Sequence, residues 1–263
     1  LCGAAVAFKL VQILYEEAGL GREEAYDFLE NVAFATVGDV MNLTGENRIF
    51  VKEGLKSLAH TRNLGMQALI RQNKLKPEDI GTYHIGFVLG PCMNASGRLD
   101  TAVYALELLL AESEPQAAEA AGRLISLNES RKAMTQRQLE EAIREIEDNG
   151  RFRDKVMVVY LPECHESLAG IIAGRIRERY YRPVFVLTKG EEGLKGSGRS
   201  IEEYSMFEEM NKTADLFTKF GGHPMAAGLS MPEENLKEFR RRINECASLT
   251  EEDLTEKVRI DAA

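Results

Sequence analysis

Nowhere in the 263 residues does an apolar run approach the ~18 residues a membrane-crossing helix needs, so no segment of this kind spans a bilayer. The four cysteines, Cys2, Cys92, Cys164 and Cys246, are far apart and form no CxxC pair. That spacing points to reduced, buried thiols in a cytosolic protein. G-x-S-x-G, a Walker loop and H-E-x-x-H are all missing. Positive charge is also scarce, with 33 lysines and arginines against 42 acidic residues and a net charge of −9. A generally basic nucleic-acid binder is therefore excluded, and any phosphate binding must be local. The opening Leu1–Leu10 has no initiating methionine and no basic flank, so it reads as a helix of a longer protein rather than a signal peptide.

What is present falls into three parts. Residues 1–111 read as short helices: Val6, Leu10, Ile13 and Leu14 share one helical face, and Asn47–Leu58 and Met66–Leu75 follow as further helices. A run from Asp79 ends at the glycine–proline break Leu89-Gly-Pro91, and Thr101–Leu110 places Val103, Leu106 and Leu110 on one side. Residues 112–150 predict one long helix from Pro115 to Asp148, with Ser113-Glu-Pro-Gln116 as its capping box and Asn149-Gly150 as its stop. Its polar middle suits a strut between domains better than a core element. Residues 151–248 change period: strand Lys155–Leu161, helix Ser167–Tyr180, strand Pro183–Thr188, a third strand into Ser200, helix Met206–Phe220, strand Ala226–Met231 and helix Pro232–Ala247. The fold class is therefore α/β, a helical part joined by a long helix to a compact mixed-sheet domain. Residues 249–263 read as a linker whose Val258-Arg-Ile-Asp261 opens a strand.

Chemistry concentrates in a few stretches. Lys195-Gly-Ser-Gly-Arg-Ser200 sets an arginine and two hydroxyls among glycines, a composition suited to gripping a phosphate. Phe220-Gly-Gly-His-Pro-Met-Ala-Ala-Gly228 adds a histidine beside two glycines that let the backbone approach a ligand closely. Thr36-Val-Gly-Asp39 offers a carboxylate that is either a hard-metal ligand or a turn cap. In the polar loop Pro91–Asp100, Asn94, Ser96 and Arg98 either reach a phosphate or tie helix ends together. Cys164-His-Glu-Ser167 puts His165 in a cleft beside a helix N-terminus, or leaves it exposed with Ser167 as the N-cap. His60 and His84 have no partner pattern and read as structural.

These stretches resemble, in order and across nearly the whole chain, the RecJ single-stranded-DNA-specific exonucleases of the DHH phosphoesterase superfamily. Leu1–Leu10, Ala35–Arg48, Gly86–Arg98, His165–Pro183, Gly196–Ser200 and Gly221–Gly228 carry the likeness. The resemblance implies that residues 1–111 end a DHH catalytic domain, 112–150 connect, 151–248 form the DHH-associated substrate-binding domain, and 249–263 lead into an oligonucleotide-binding barrel. It implies a 5′-to-3′ exonuclease of DNA repair and recombination, with two Mg²⁺ or Mn²⁺ ions activating water. Asp39 is then a catalytic metal ligand, the other ligand motifs lying before Leu1. Ser197, Arg199 and Ser200 would sit near the phosphate, with Gly221, Gly222 and His223 lining the same cleft. Asn94, Arg98 and His165 would contact the nucleic acid. Implied partners are single-stranded DNA, a single-strand-binding protein and a helicase. Where the family has an aromatic residue before the histidine, this chain has Cys164, which removes a stacking role there.

Two other readings compete. One is an oligonucleotide or cyclic-dinucleotide phosphodiesterase of the same superfamily, against which the long linker helix argues. The other is a non-enzymatic nucleic-acid-binding module. With one aspartate to offer two hard cations that each want about six oxygens, the chain by itself is expected to hydrolyse no DNA.

Overall fold

The computed structural model divides into two compact units, Leu1–Arg131 and Lys132–Ala263, and describes residues 1–257. The strand expected over Val258–Asp261 lies outside the described residues.

In the first unit, helices α1 (Gly3–Glu17), α2 (Leu29–Gly38), α3 (Gly45–Leu58) and α4 (Leu64–Gln72) surround an aliphatic core. Close approach of α2 and α3 depends on Gly54, where a Cβ would lie 2.3 Å from the Leu29 carbonyl oxygen. The stripe Val6, Leu10, Ile13 and Leu14 does not enter that core. All four are exposed, and α1 buries Ala5 and Phe8 instead. Val103, Leu106 and Leu110 likewise face out, with Leu108 buried in their place.

Pro91 does not break the chain as expected. The turn α5 (Thr82–His84), a π-helical segment Ile85–Leu89 and α6 (Gly90–Leu99) run on without interruption. The wider π turn accommodates a proline that has no N–H for an α-helical bond, so the stretch expected as a polar loop is helical. His84 does have a structural partner, its Nδ1 accepting from the Gly81 N–H at 3.2 Å. Helix α7 (Val103–Leu109) leads to α8 (Glu114–Asp148).

The polarity of α8 suggested a strut, yet both ends are core elements. Ala117, Ala121 and Leu124 are buried in the first unit, and Ala142 and Ile146 in the second. Small side chains let a helix of low mean hydropathy pack closely without a broad apolar face.

The second unit is a five-stranded mixed sheet in the order β1-β2-β3-β5-β4: β1 (Met157–Tyr160), β2 (Val184–Gly190), β3 (Gly193–Arg199), β4 (Lys219–His223) and β5 (Ala226–Met231). β1 and β2 are parallel and all other neighbours antiparallel. On one face α9 (Glu166–Tyr180) packs Leu168, Ile172 and Ile176 on Met157, Val159, Val184 and Val186. On the other, α10 (Met206–Asn211) and α11 (Leu236–Cys246) bury Met206, Met210, Phe239 and Ile243 against Phe185, Leu187 and Leu229. The expected helix Met206–Phe220 is shorter than read: it stops at Asn211, and Lys219–His223 is a strand.

Asn244 on α11 clasps the entry to β1. Its Oδ1 accepts from the Val156 N–H at 3.0 Å, and its Nδ2 donates to the Val156 carbonyl at 2.9 Å. Asn244→Ala leaves both backbone groups unmet and is expected to cost about 2 kcal/mol in a urea titration. A loss too small to detect would mean that water replaces the clasp.

Glu30 is buried in the first unit and accepts from Thr61 Oγ1 at 2.8 Å. Burial raises its pKa above the ordinary 4.5. The folded chain then holds this proton more tightly than the unfolded chain, so stability falls as pH rises past that value. Glu30→Gln keeps the Thr61 bond and is expected to raise the melting temperature at neutral pH but not in acid. Equal melting temperatures at both would remove the titration from the account.

Candidate nucleic-acid interface

β3 carries the glycine-rich sequence because its two sides meet different surroundings. Gly196 and Gly198 face the inner core, where a Cβ would sit 2.3 Å from Leu187 Cδ2 and 2.4 Å from Met206 Sδ respectively. Alternation then puts Lys195, Ser197 and Arg199 on the opposite face. The antiparallel register extends this face into three rows. Lys195 lies opposite Ser230, which lies opposite Lys219; Ser197 is opposite Gly228 and then Gly221; Arg199 is opposite Ala226 and then His223.

Helix α9 packs over β2 and β3 on this side and walls one edge of the rows, which continue uncovered by α9 onto β5 and β4. The middle row, a serine and two glycines, is the floor of a trough. A Cβ at Gly221 would meet nothing within 4 Å. Lys195 and Lys219 stand on one flank of the floor, Arg199 and His223 on the other. With strands ~4.8 Å apart, each flanking pair is separated by about 10 Å. The lysine side opens into a cleft of about 480 Å³ lined by Ser197, Lys195, Lys219, Gly221, Ser230 and Glu166.

Two contacts set the trough's electrostatics. Lys195 Nζ lies 2.6 Å from Glu166 Oε2, and that hydrogen bond raises the lysine pKa. At the other flank Arg199 Nη1 donates to the Gly198 carbonyl at 2.7 Å. Its guanidinium lies against α9 at Gly170, where a Cβ would come within 2.8 Å of Nη2. Glycine at 170 is therefore what makes space for the arginine.

Not every expected residue takes part. Ser200 is buried and its hydroxyl donates to the Tyr204 carbonyl, so it offers no group to a ligand in the trough. Its backbone N–H holds the Met225 carbonyl at 3.0 Å, while Met206 N–H holds that of Pro224 at 3.0 Å. Together they pin the β4–β5 turn behind His223. Gly222 belongs to packing, since a Cβ there would lie 2.4 Å from the Ala226 carbonyl oxygen. His165 is exposed and is itself the N-cap of α9, its Nδ1 accepting from Ser167 N–H, so Ser167 is not the cap. Cys164 is buried, and burial pushes its thiol up to about 11, which keeps it protonated at neutral pH.

Asn94 and Arg98 lie in the first unit, one turn apart on α6, and both are exposed. Asp39 caps the C-terminus of α2 and is exposed, its N–H bonded to Ala35. Val40 follows at φ 53° with Met41 N–H returning to Thr36, a Schellman turn with a β-branched residue where glycine is usual. No group of three His, Cys, Asp or Glu side chains converges among the described residues. One carboxylate does not by itself make a two-ion centre.

Lys195 and Lys219 were missed in the sequence, although a strand period of two through Lys195-Ser197-Arg199 and Lys219-Gly221-His223 marks both.

Residues 153–249 match the family model described as the DHHA1 domain. Along most of its length the chain is similar to curated RecJ exonucleases. It is 38% identical over 260 residues to the Bacillus subtilis single-stranded-DNA-specific exonuclease RecJ, covering 96% of this chain and 32% of that protein. Its likeness is to the RecJ exonucleases. The corresponding Escherichia coli protein is 35% identical over 263 residues, covering 93% of this chain and 46% of that one. The crystal structure of Thermus thermophilus RecJ in complex with Mg²⁺ superposes with a TM-score of 0.83 at 32% identity, covering 92% of this chain and 37% of that chain. The chain spans 32% of the first of these curated relatives and 46% of the second.

The glycines give a direct test of the trough. Gly198→Ala is expected to cost about 1–3 kcal/mol, because its methyl must displace Met206 and Phe185. Gly221→Ala is expected to keep or slightly raise stability, by up to about 0.5–1 kcal/mol. Chemical denaturation of both variants checks this, and equal destabilisation would contradict the two-sided description of the sheet.

Proposed function

We propose that the second unit holds single-stranded DNA by its phosphates, as the substrate-gripping part of a RecJ-like 5′-to-3′ exonuclease. The observation that carries the reading is the small-residue floor Ser197-Gly228-Gly221 flanked by Lys195, Lys219, Arg199 and His223. A row without side-chain bulk lets a backbone phosphate come close, and cations on both sides neutralise it. Family likeness along most of the chain favours a nuclease over a freestanding binding module, and over a cyclic-dinucleotide phosphodiesterase.

In this reading Arg199 donates charge-assisted bonds to one phosphate, with the Ser197 hydroxyl donating below. Lys195 exchanges Glu166 for a phosphate oxygen, and Glu166 acts as a stand-in anion while the trough is empty. Asn94 and Arg98 would touch the strand from the first unit, and His165 would do so at the exposed start of α9. Asp39 is the one metal ligand this chain would contribute to a Mg²⁺ or Mn²⁺ centre. Polarity, the role in repair and recombination, cytoplasmic location, and single-strand-binding protein and helicase partners rest on family resemblance alone.

Binding of a 5′-phosphorylated oligonucleotide, measured by fluorescence anisotropy over a salt series, tests the trough. Arg199→Ala should weaken binding roughly 10- to 150-fold, the range for a hydrogen bond to a charged group. It should also flatten the log–log salt slope by ~0.7, one phosphate contact on a single strand. Glu166→Gln should act the other way and tighten binding. Folded variants that leave both affinity and slope as in the wild type would refute the trough.

A further inference from the structure

The first unit carries a second concentration of positive charge, away from every residue assigned above. The 24 residues from Gly54 to Pro77 contain five lysines and arginines and one histidine but no aspartate or glutamate, in a chain with 42 acidic residues. Folding gathers all of them except Lys56, which pairs with Glu53. The turn after α3 and the outer face of α4 enclose a groove of about 740 Å³ lined by His60, Thr61, Gln67, Arg71 and Lys74. Arg62 and Lys76 adjoin lining residues Thr61 and Pro77, and both are exposed.

Backbone geometry contributes. Helix α4 closes with Leu75 N–H returning to Ile70 and Lys74 N–H to Arg71, which sets Lys74 at φ 58°. This left-handed residue joins Arg71 on the groove. Favourable interaction with the helix dipole accounts for Arg71 and Lys74, which end a helix, but not for His60, Arg62 or Lys76. Arg62, Arg71, Lys74 and Lys76 make no ion pair among the described residues. Glu78 and Asp79 follow in the next turn, and Glu30 is buried beneath Thr61.

The rim also indicates the kind of partner. No large exposed apolar side chain occurs between Ile49 and Tyr83. Protein interfaces are centred on buried aromatic or aliphatic anchors, and base recognition on single strands uses aromatic platforms; this groove has neither. Unpaired cations without apolar anchors suit a chain of phosphates. We propose that the α3–α4 groove is a second nucleic-acid contact, which binds the sugar-phosphate backbone without regard to base sequence. It extends the proposed function but does not depend on the trough, because no residue is shared.

The test uses the whole chain, a long end-labelled oligothymidylate and a salt series. Arg71→Glu with Lys74→Glu should weaken binding roughly tenfold and flatten the salt slope by about 1.4, two contacts at ~0.7 each. Arg62→Ala with Lys76→Ala should do the same more mildly and melt like the wild type, since both residues are exposed. The Arg71→Glu, Lys74→Glu pair gives up a favourable helix-dipole interaction and should melt slightly lower, so its binding is read at a temperature where circular dichroism shows it folded. An oligodeoxyadenylate of equal length should respond as the oligothymidylate does. Folded variants with unchanged affinity and slope overturn the groove. So does preferential binding of polyglutamate lost in the same variants, which would assign the surface to an acidic protein. Arg199→Ala, run in parallel, separates the two sites: loss in the groove variants alone defeats the trough, and loss in Arg199→Ala alone defeats the groove.

Discussion

Phe185, Leu187 and Met206 fill the space beneath β3 so fully that the strand can present no Cβ at positions 196 and 198. This one packing constraint orders much of the second unit. It fixes glycine at alternate positions, and the intervening residues must point outward together. A slip of one residue would press Lys195, Ser197 and Arg199 into an apolar core and expose the glycines. The cost of burying two cations makes that register inaccessible. The placement of polar side chains over the trough thus follows from hydrophobic packing on the opposite side of the sheet.

The same sheet reconciles a net charge of −9 with the proposed affinity for an anion. Charge matters over about a Debye length, so a local cluster outweighs a distant surplus of carboxylates. Glu166 is the exception, an acid set directly on Lys195. Both partners are about half exposed, and ion pairs of that kind are weak and readily exchanged. A phosphate oxygen brings comparable charge with better neighbours in Ser197 and Arg199.

Legibility in the sequence followed the strength of the local signal. The buried strands β1 (Met157–Tyr160) and β2 (Val184–Gly190) lie in largely apolar runs, and α8 is long with capping residues in its sequence, so both were plain. β4 was not, because two adjacent glycines are poor strand formers and its strand state comes from pairing with β5. Pro91 read as a breaker because a π turn has no sequence signature as simple as proline's own. The exposed stripe on α1 satisfied helical periodicity yet faces out, since periodicity identifies a face and not what covers it. Within the trough, Ser197, Arg199 and His223 are the residues that composition marks, and the register sets them on one face. Ser200 was misjudged because a hydroxyl beside an arginine gives no hint that Tyr204 already engages it.

β4 is one of the two edge strands of the sheet and, among the described residues, pairs with β5 alone. An unprotected outer strand invites another polypeptide to add to it, the usual first step of sheet-to-sheet aggregation. Here the strand is five residues long, holds two glycines and begins with a lysine. Short length limits how many hydrogen bonds an intruder gains, glycines offer no side chains to interdigitate, and the lysine repels a second copy of itself. The features that suit the strand to the proposed phosphate contact thus also guard this edge of the sheet against pairing with another chain.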